Sequence, residues 1–350
     1  MTTARYAALL LPSANRVYAA ASTDLLAAEL EILASAAGAE IVDPRVERIA
    51  DVAYVTFTVD DLDDRTVAYL ANASALYALF RFEAGALHPV PAPRLDRLDD
   101  DLVTIQKYAG KTNEQFTRLL LNVTVAASGA AGQMLDRPLR VLDPVCGRGS
   151  TLNQALLYGY HAAGIDVDTA DVEAYATFVR TYLPRKRLKH TVAFGPVRRD
   201  RKVVARRLEA TIGLTREAFK AGDVRELDVV AADTRRCGEF FRRGSFDVVV
   251  GDLPYGVQHG SRSAGGDLQR GPLDLLRTAV PAWTAMLRPG GTIGLSWNTH
   301  VAAREEAAGV LADHGLEVLD DGAWTRLRHR VDQSIDRDVL VARRAPRPRA

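Results

Sequence analysis

Apolar positions along the chain fall into short runs with two different rhythms, and the change of rhythm suggests its organisation. In the first 90 residues strand-like and helix-like segments alternate. RYAALLLP (5–12), AYVTFTV (53–59) and ALYALFRFE (75–83) predict strands. TDLLAAELEILASAAG (23–38) and DLDDRTVAYLANA (61–73) carry helical spacing. EIVDPRVERI (40–49) is ambiguous. Taken as a strand, it completes the order β-α-β-β-α-β, which predicts a small ferredoxin-like α+β domain over residues 1–100. HPVPAPRLDRLDDD (88–101), with three prolines and many charges, is the expected linker.

From about residue 105 strands alternate with helices, the pattern of an α/β, doubly wound Rossmann-like domain, here expected over 106–345. GKTNEQFTRLLLNVTVAAS (110–128) predicts a helix capped by Thr112 or Asn113. Short apolar runs then end in acids at 139–143, 162–166, 228–233 and 246–252. LRPGGTIGLSWN (287–298) predicts a Pro-Gly-Gly turn into another strand, and RDVLVARR (337–344) a last one.

Composition adds limits. Apolar residues make up 47% and charged residues 25% of 350, as in globular proteins. No apolar run approaches the roughly 18 residues of a membrane span, and Pro12, Asn15 and Arg16 interrupt the first apolar stretch too early for a secretory signal. Two cysteines, Cys146 and Cys237, exclude a disulfide framework and a structural zinc site. A cytoplasmic location is expected. The net charge of +1 hides an asymmetry: residues 1–100 hold 15 acids and 8 bases, a net of −7, and the remainder carries +8. Residues 180–207 contain 11 Lys/Arg and one acid, within an expected basic insertion over 180–225. They read either as a solvated insertion or as a phosphate-binding patch.

The acid-tipped strands carry the candidate chemistry. In VLDPVCGRGS (141–150), Asp143 ends a strand, and Gly147 and Gly149 allow close backbone approach to a ligand at the following helix. In GIDVD (164–168), Asp166 stands where one carboxylate can take both hydroxyls of a ribose. In AADT (231–234), Asp233 suits an adenine amino group. The fourth tip is GDLPYG (251–256), whose Tyr255 a plain exit turn would not require. A dinucleotide site predicts G-x-G-x-x-G, whereas this chain has GRGSTL and lacks the third glycine.

DPVCGRGS, GIDVD, AADT and GDLPYG, in this order, together with the GKTN of Gly110–Asn113, resemble the Rossmann-like methyltransferases that use S-adenosyl-L-methionine. The closest resemblance is to the THUMP-associated RNA guanine-N2 methyltransferases. That resemblance implies the cofactor S-adenosyl-L-methionine, with Asp143, Cys146, Gly147 and Gly149 around its methionine part, Asp166 on the ribose and Asp233 on the adenine. It implies Thr112 and Asn113 closing the site, and Asp252, Leu253, Pro254 and Tyr255 forming the target-amine pocket, with no metal. RNA, above all tRNA, is then the expected partner, through 180–207. Absence of a recognisable THUMP segment and the acidic first 100 residues keep a small-molecule amine or guanidine as the alternative, with DNA adenine and a non-catalytic binding role behind it.

Other residues read more simply. Cys146 suits packing, not nucleophilic attack. Arg148 is expected to face solvent, with a cofactor carboxylate as its other partner. VQHGSRSAGGDLQRG (257–271), with His259, Arg262 and Arg270, reads equally as a lid or a surface loop. Asn298 and His300 are expected to cap a loop, a substrate role being the lesser reading, and Trp283 and Trp324 to lie in the core.

Overall fold

The structure, a computed structural model, describes residues 3–13, 15–60, 62–254 and 272–346. Its first part runs β1 (Thr3–Leu10), α1 (Arg16–Ala37), β2 (Val42–Ile49), β3 (Val52–Asp60), α2 (Asp64–Leu70), β4 (Leu76–Glu83) and β5 (Ala86–Val90). These strands form an antiparallel sheet in the order β2-β3-β1-β4-β5. The doubtful segment is therefore a strand, β2, distorted near Asp43, where φ is +52° and its register against β3 shifts.

The expected linker is not free chain. His88 and Pro89 belong to β5, an edge strand, where proline costs no ladder bond. Beyond it Leu95 is buried, its N–H bonded to Asn72 Oδ1 (2.8 Å), and Asp96 pairs with Arg118 at 2.9 Å.

The rest comprises α3 (Asp101–Thr104), α4 (Glu114–Ala126), β6 (Arg140–Asp143), α5 (Ser150–Leu157), β7 (His161–Asp166), α6 (Thr169–Arg185), β8 (Lys189–Arg199), β9 (Lys202–Gly213), α7 (Arg216–Lys220), β10 (Val224–Ala231), β11 (Phe246–Asp252), α8 (Pro272–Met286), β12 (Leu287–Asn298), α9 (Arg304–Asp313), β13 (Leu316–Leu319), β14 (His329–Arg330) and β15 (Asp336–Arg344). The sheet order is β13-β15-β12-β11-β6-β7-β10-β9-β8, with β14 beside β15. β12, β11, β6, β7 and β10 are parallel; β15 lies antiparallel between β12 and β13. From β6 the chain builds outward to β7 and β10, then returns to β11 on the other side. The switch of direction thus falls between β6 and β11, the place where open α/β sheets bind ligands. Pro289, Gly290 and Gly291 lie within β12, at the register shift against β11, and do not precede it as a separate turn.

The central strands are apolar because both faces are covered. In β11, Val248 and Val250 join the core beneath α4 and α5, while Phe246 and Val249 join the core beneath α8 and α9. Trp283 is fully buried there, and Trp324 is half-buried at the edge of the other core.

The core under α4 continues without a break into α1 and the five-stranded sheet. A buried polar strut runs through it. Glu29 of α1 accepts from the Ser74 N–H (2.8 Å), the Ser74 hydroxyl (2.6 Å) and Asn122 Nδ2 of α4 (2.8 Å). Asn122 in turn accepts from the Tyr158 hydroxyl at 2.8 Å and donates to the Asn72 carbonyl at 2.7 Å. Burial raises the Glu29 carboxyl to about 7, against the pull of the Ser74 and Asn122 donors. Among the described residues no helix is long and apolar enough to cross a membrane.

Replacing Glu29 strands three donors in an apolar interior. Glu29→Ala is expected to destabilise the chain by about 3 kcal/mol, and Glu29→Gln by less, as read from urea midpoints. A loss below about 0.5 kcal/mol for Glu29→Ala would mean the strut contributes little.

Candidate functional site

Four strand tips meet at the carboxyl edge of the parallel sheet, and the chain between them sets their geometry. After β6, Asp143 folds back on its own turn and accepts from the Val145 N–H at 3.0 Å. The loop then packs closely on the next strand. Cys146 donates its N–H to the Ile165 carbonyl at 3.2 Å, and Gly147 donates to Asp166 Oδ2 at 2.7 Å. Gly147 and Gly149 have φ of +46° and +82°. A Cβ on Gly149 would run into the Tyr175 ring, and one on Gly164 would lie 2.8 Å from Cys146 Sγ. Glycine is required here by backbone sign and by contact. Cys146 is buried, with its thiol pushed well up by that burial and then by Asp166 and Asp143; it packs as expected.

Asp166 is held from both sides, since its other oxygen accepts from the Asp168 N–H at 2.9 Å. Asp233, two residues beyond β10, caps the short turn Thr234–Glu239 by accepting from the Arg235 N–H at 2.9 Å. It also pairs with the Arg235 side chain, which holds its carboxyl below the usual range.

Asp252 is the most heavily anchored. Thr112 donates to its Oδ2 at 2.7 Å, Ser296 donates to its Oδ1, and the Arg337 guanidinium lies 3.7 Å away. Ser296 is its register partner on β12, and Arg337 comes from β15. Arg337 is itself stacked over the Phe116 ring at 4.1 Å. Beside it His329 is buried against Phe116 and Tyr18, with Nδ1 on the Leu327 carbonyl and no partner for Nε2 among the described residues. Burial, and then Arg337, lower this imidazole to about 4, so it is neutral.

Several expectations need correction. Leu253 does not line an open pocket. Its side chain is in the core with Leu275 and Trp283, and its N–H is bonded to the Ser296 carbonyl at 2.8 Å; only its own carbonyl is left for a ligand. Pro254 is exposed, and Tyr255, like the 257–271 loop, lies outside the described residues. Thr112 belongs to Asp252. Asn113 is spent on capping α4, accepting from the Phe116 N–H at 3.1 Å, and meets Ser13. Arg148 does not point to solvent alone, because it pairs with Asp171 at 2.7 Å and lies over the Tyr108 ring. Asn298, in contrast, caps a loop as expected, bonding the His300 and Asp336 N–H groups and the Ser334 carbonyl.

Sequence reasoning missed Tyr108, Ser296, His329 and Arg337. Tyr108 covers the glycine loop and bonds Ser150 at 3.1 Å. The signal available was a small polar residue and an arginine in otherwise apolar runs, SWN and RDVLVARR.

The electrostatics follow from convergence. Asp143 is buried, and that burial raises its carboxyl to about 7; the Val145 N–H and Thr151 oppose the rise, while Asp166 and Asp252 add to it. Burial raises Asp166 as well, and Asp171 and Asp168 contribute. Asp143 thus feels both Asp166 and Asp252 at this edge. A groove of about 430 Å³ lined by Arg140, His161, Thr191, Glu209, Glu226 and Phe246 lies at the opposite edge, where the parallel strands begin.

No family model matches the sequence, and no curated protein matches it. Solved structures similar to it include Burkholderia thailandensis 1,6-didemethyltoxoflavin-N1-methyltransferase with bound 1,6-didemethyltoxoflavin and S-adenosylhomocysteine. That match has 16% identity, covers 65% of this chain and 78% of the other, and has a TM-score of 0.38. The N-methyltransferase NodS from Bradyrhizobium japonicum matches at 13% identity over 71% and 99%, TM-score 0.37. The [4+2]-cyclase SpnF matches at 15% over 69% and 86%, TM-score 0.39. Likenesses this distant, with a cyclase among them, do not bear on the reaction.

The native Asp143 value of about 7 exceeds the roughly 3.9 of an unfolded aspartate, so between these values only the native state keeps the proton. The stability it contributes is full below about pH 4 and is lost as pH rises through 7. Asp143→Asn, which still accepts from Val145, should flatten the fall in urea midpoint between pH 5 and pH 8; an unchanged fall would place that proton elsewhere. Gly149→Ala should lose at least about 2 kcal/mol through its φ and the clash with Tyr175, and wild-type stability would contradict the described loop.

Proposed function

We propose that this chain is an S-adenosyl-L-methionine-dependent N-methyltransferase acting on the exocyclic N2 amine of guanine in RNA, tRNA foremost. The observation that carries this reading is Asp252, fixed by Thr112, Ser296 and Arg337 at the switch point beside the glycine loop. The sign of the charge supports it. A dinucleotide would bring a pyrophosphate to a loop flanked by Asp143, Asp166 and Asp171, whereas a sulfonium and an ammonium would relieve the repulsion between these acids.

The residues present fit such a cofactor. Gly147 and Gly149 give a loop with no side chain in the way, Asp166 would take the ribose, Asp233 the adenine and Asp143 the cationic end. The bound group supplies an electrophilic methyl. Asp252 and the Leu253 carbonyl accept the two amine N–H bonds, which aims the nitrogen lone pair. Pro254 holds the turn without adding a donor, and the amine proton lost on transfer leaves to Asp252 or to water. Tyr255 is assigned the stacking face for the base on sequence grounds. Positioning of the two reactants supplies most of the acceleration. Residues 1–100 are read as a ferredoxin-like unit, supported by the β-α-β-β-α-β order and the strand order β2-β3-β1-β4, and 106–345 as the transferase unit. A small-molecule amine is the second reading, favoured by the net −7 of residues 1–100.

The protein should be incubated with methyl-labelled cofactor and, separately, total RNA, genomic DNA and a metabolite extract. Label that survives DNase and vanishes with RNase is expected; label confined to the low-mass fraction would overturn the RNA assignment. Asp252→Ala should lower transfer at least about 100-fold with cofactor affinity within about twofold of wild type. Loss of cofactor binding in that variant would overturn the division of roles.

A further inference from the structure

We infer that the tip of the β8–β9 hairpin is the phosphate-backbone contact for RNA at this site, and that the other cations of 180–207 are not part of it. The inference rests on the RNA reading above and sharpens it from 28 residues to one turn.

Strand register places the tip. Ala231, the end of β10, pairs with Asp166 on one side and with Arg206 of β9 on the other. Arg206 therefore marks the carboxyl edge. Lys202–Ala205 and their β8 partners continue past it, about 13 Å at ~3.3 Å per residue. The turn is made by Asp200 and Arg201, with φ of +48° and +64°, the sign a tight two-residue hairpin requires. Arg199 fixes the tip. It donates to the Glu239 carboxylate and to the Glu239 carbonyl, each at 2.6 Å, and lies 5.4 Å over the Phe240 ring. The hairpin is thereby tied to the turn that follows Asp233.

Arg198, Arg201 and Lys202 remain at the tip, exposed and with no hydrogen-bond or ion-pair partner among the described residues. Apart from Arg180, which stands on α6 and not on the hairpin, the segment's other cations are used or misplaced. Lys186 pairs with Asp99 and Asp101, Arg206 with Glu173 and Arg207 with Asp228. Lys189 sits across from Gly213, which sits across from Val224 at the start of β10, so Arg185, Arg187 and Lys189 lie near the opposite edge.

Four strand spacings separate β9 from β11, about 19 Å at ~4.8 Å each. A nucleic-acid strand with its base at Asp252 bridges that distance, and a small metabolite does not. Three cations on a protruding turn suit successive phosphates, whose neutralisation releases counterions.

The test compares Arg198→Gln/Arg201→Gln/Lys202→Gln with Arg185→Gln/Arg187→Gln/Lys189→Gln in the full chain. Binding of fluorescein-labelled unfractionated tRNA is followed by anisotropy from 50 to 200 mM NaCl. Removing one cation from a phosphate lowers the slope of log K against log salt by about 1, so the slope of the tip variant should fall by about 2 to 3 while the far-edge variant keeps the wild-type slope. Thermal melts and cofactor affinity should match wild type in both. If the tip variant keeps its slope, or both variants fall equally, the hairpin assignment is overturned and the RNA reading stands. If the wild-type chain binds no tRNA, both are overturned.

Discussion

The burial of Asp143 at one sheet edge, within the field of Asp166 and Asp252, is the constraint around which much of the site is arranged. Burial raises the proton affinity of Asp143 most, and the neighbouring Asp166 and Asp252 charges add to the rise. Each carboxyl is consequently held by donors of its own. The Val145 N–H serves Asp143, the Gly147 and Asp168 N–H groups serve Asp166, and Thr112 and Ser296 serve Asp252. On the proposed reading, a cation bound between them would offset the cost of holding these groups.

The anchoring of Asp252 reaches back into the first part of the chain. Arg337 rests on Phe116, and His329 beside it is packed by Tyr18 of α1. A neutral imidazole is the form this place tolerates, because a charged one would face Arg337 in a dry interior. The Glu29–Asn122–Tyr158 strut fixes α1 to α4 on the same side. The five-stranded sheet thus supports the floor under Asp252.

What the sequence revealed and what it concealed have a physical division. Tips such as FDVVVGD were legible because a buried parallel strand needs a continuous apolar run, which makes an acid at its end conspicuous. The glycine loop was legible because backbone sign is a local demand. Partners converging from distant segments were not. Ser296 and Arg337 meet at Asp252 only through sheet order, with His329 packed on Phe116 beside Arg337, and Arg148 finds Asp171 through the way α6 follows β7. Thr112 and Asn113 are neighbours that the cap separates, one turned to Asp252 and the other to the α4 N–H groups. Charge counted along the chain leaves the basic segment open between a solvated insertion and a phosphate-binding patch, whereas hairpin register divides its cations between two edges.

If these carboxyls await a cationic ligand, proton release on binding is the sharpest test. Calorimetric titration of the protein with S-adenosyl-L-methionine near pH 7, in buffers of differing ionisation enthalpy, counts the protons displaced. Net release is expected, a substantial fraction of one proton as Asp143 ionises against the ligand's charge, with affinity rising from pH 6 to pH 8. Binding with no proton release and no pH dependence, or preference for a nicotinamide dinucleotide over this ligand, would contradict it.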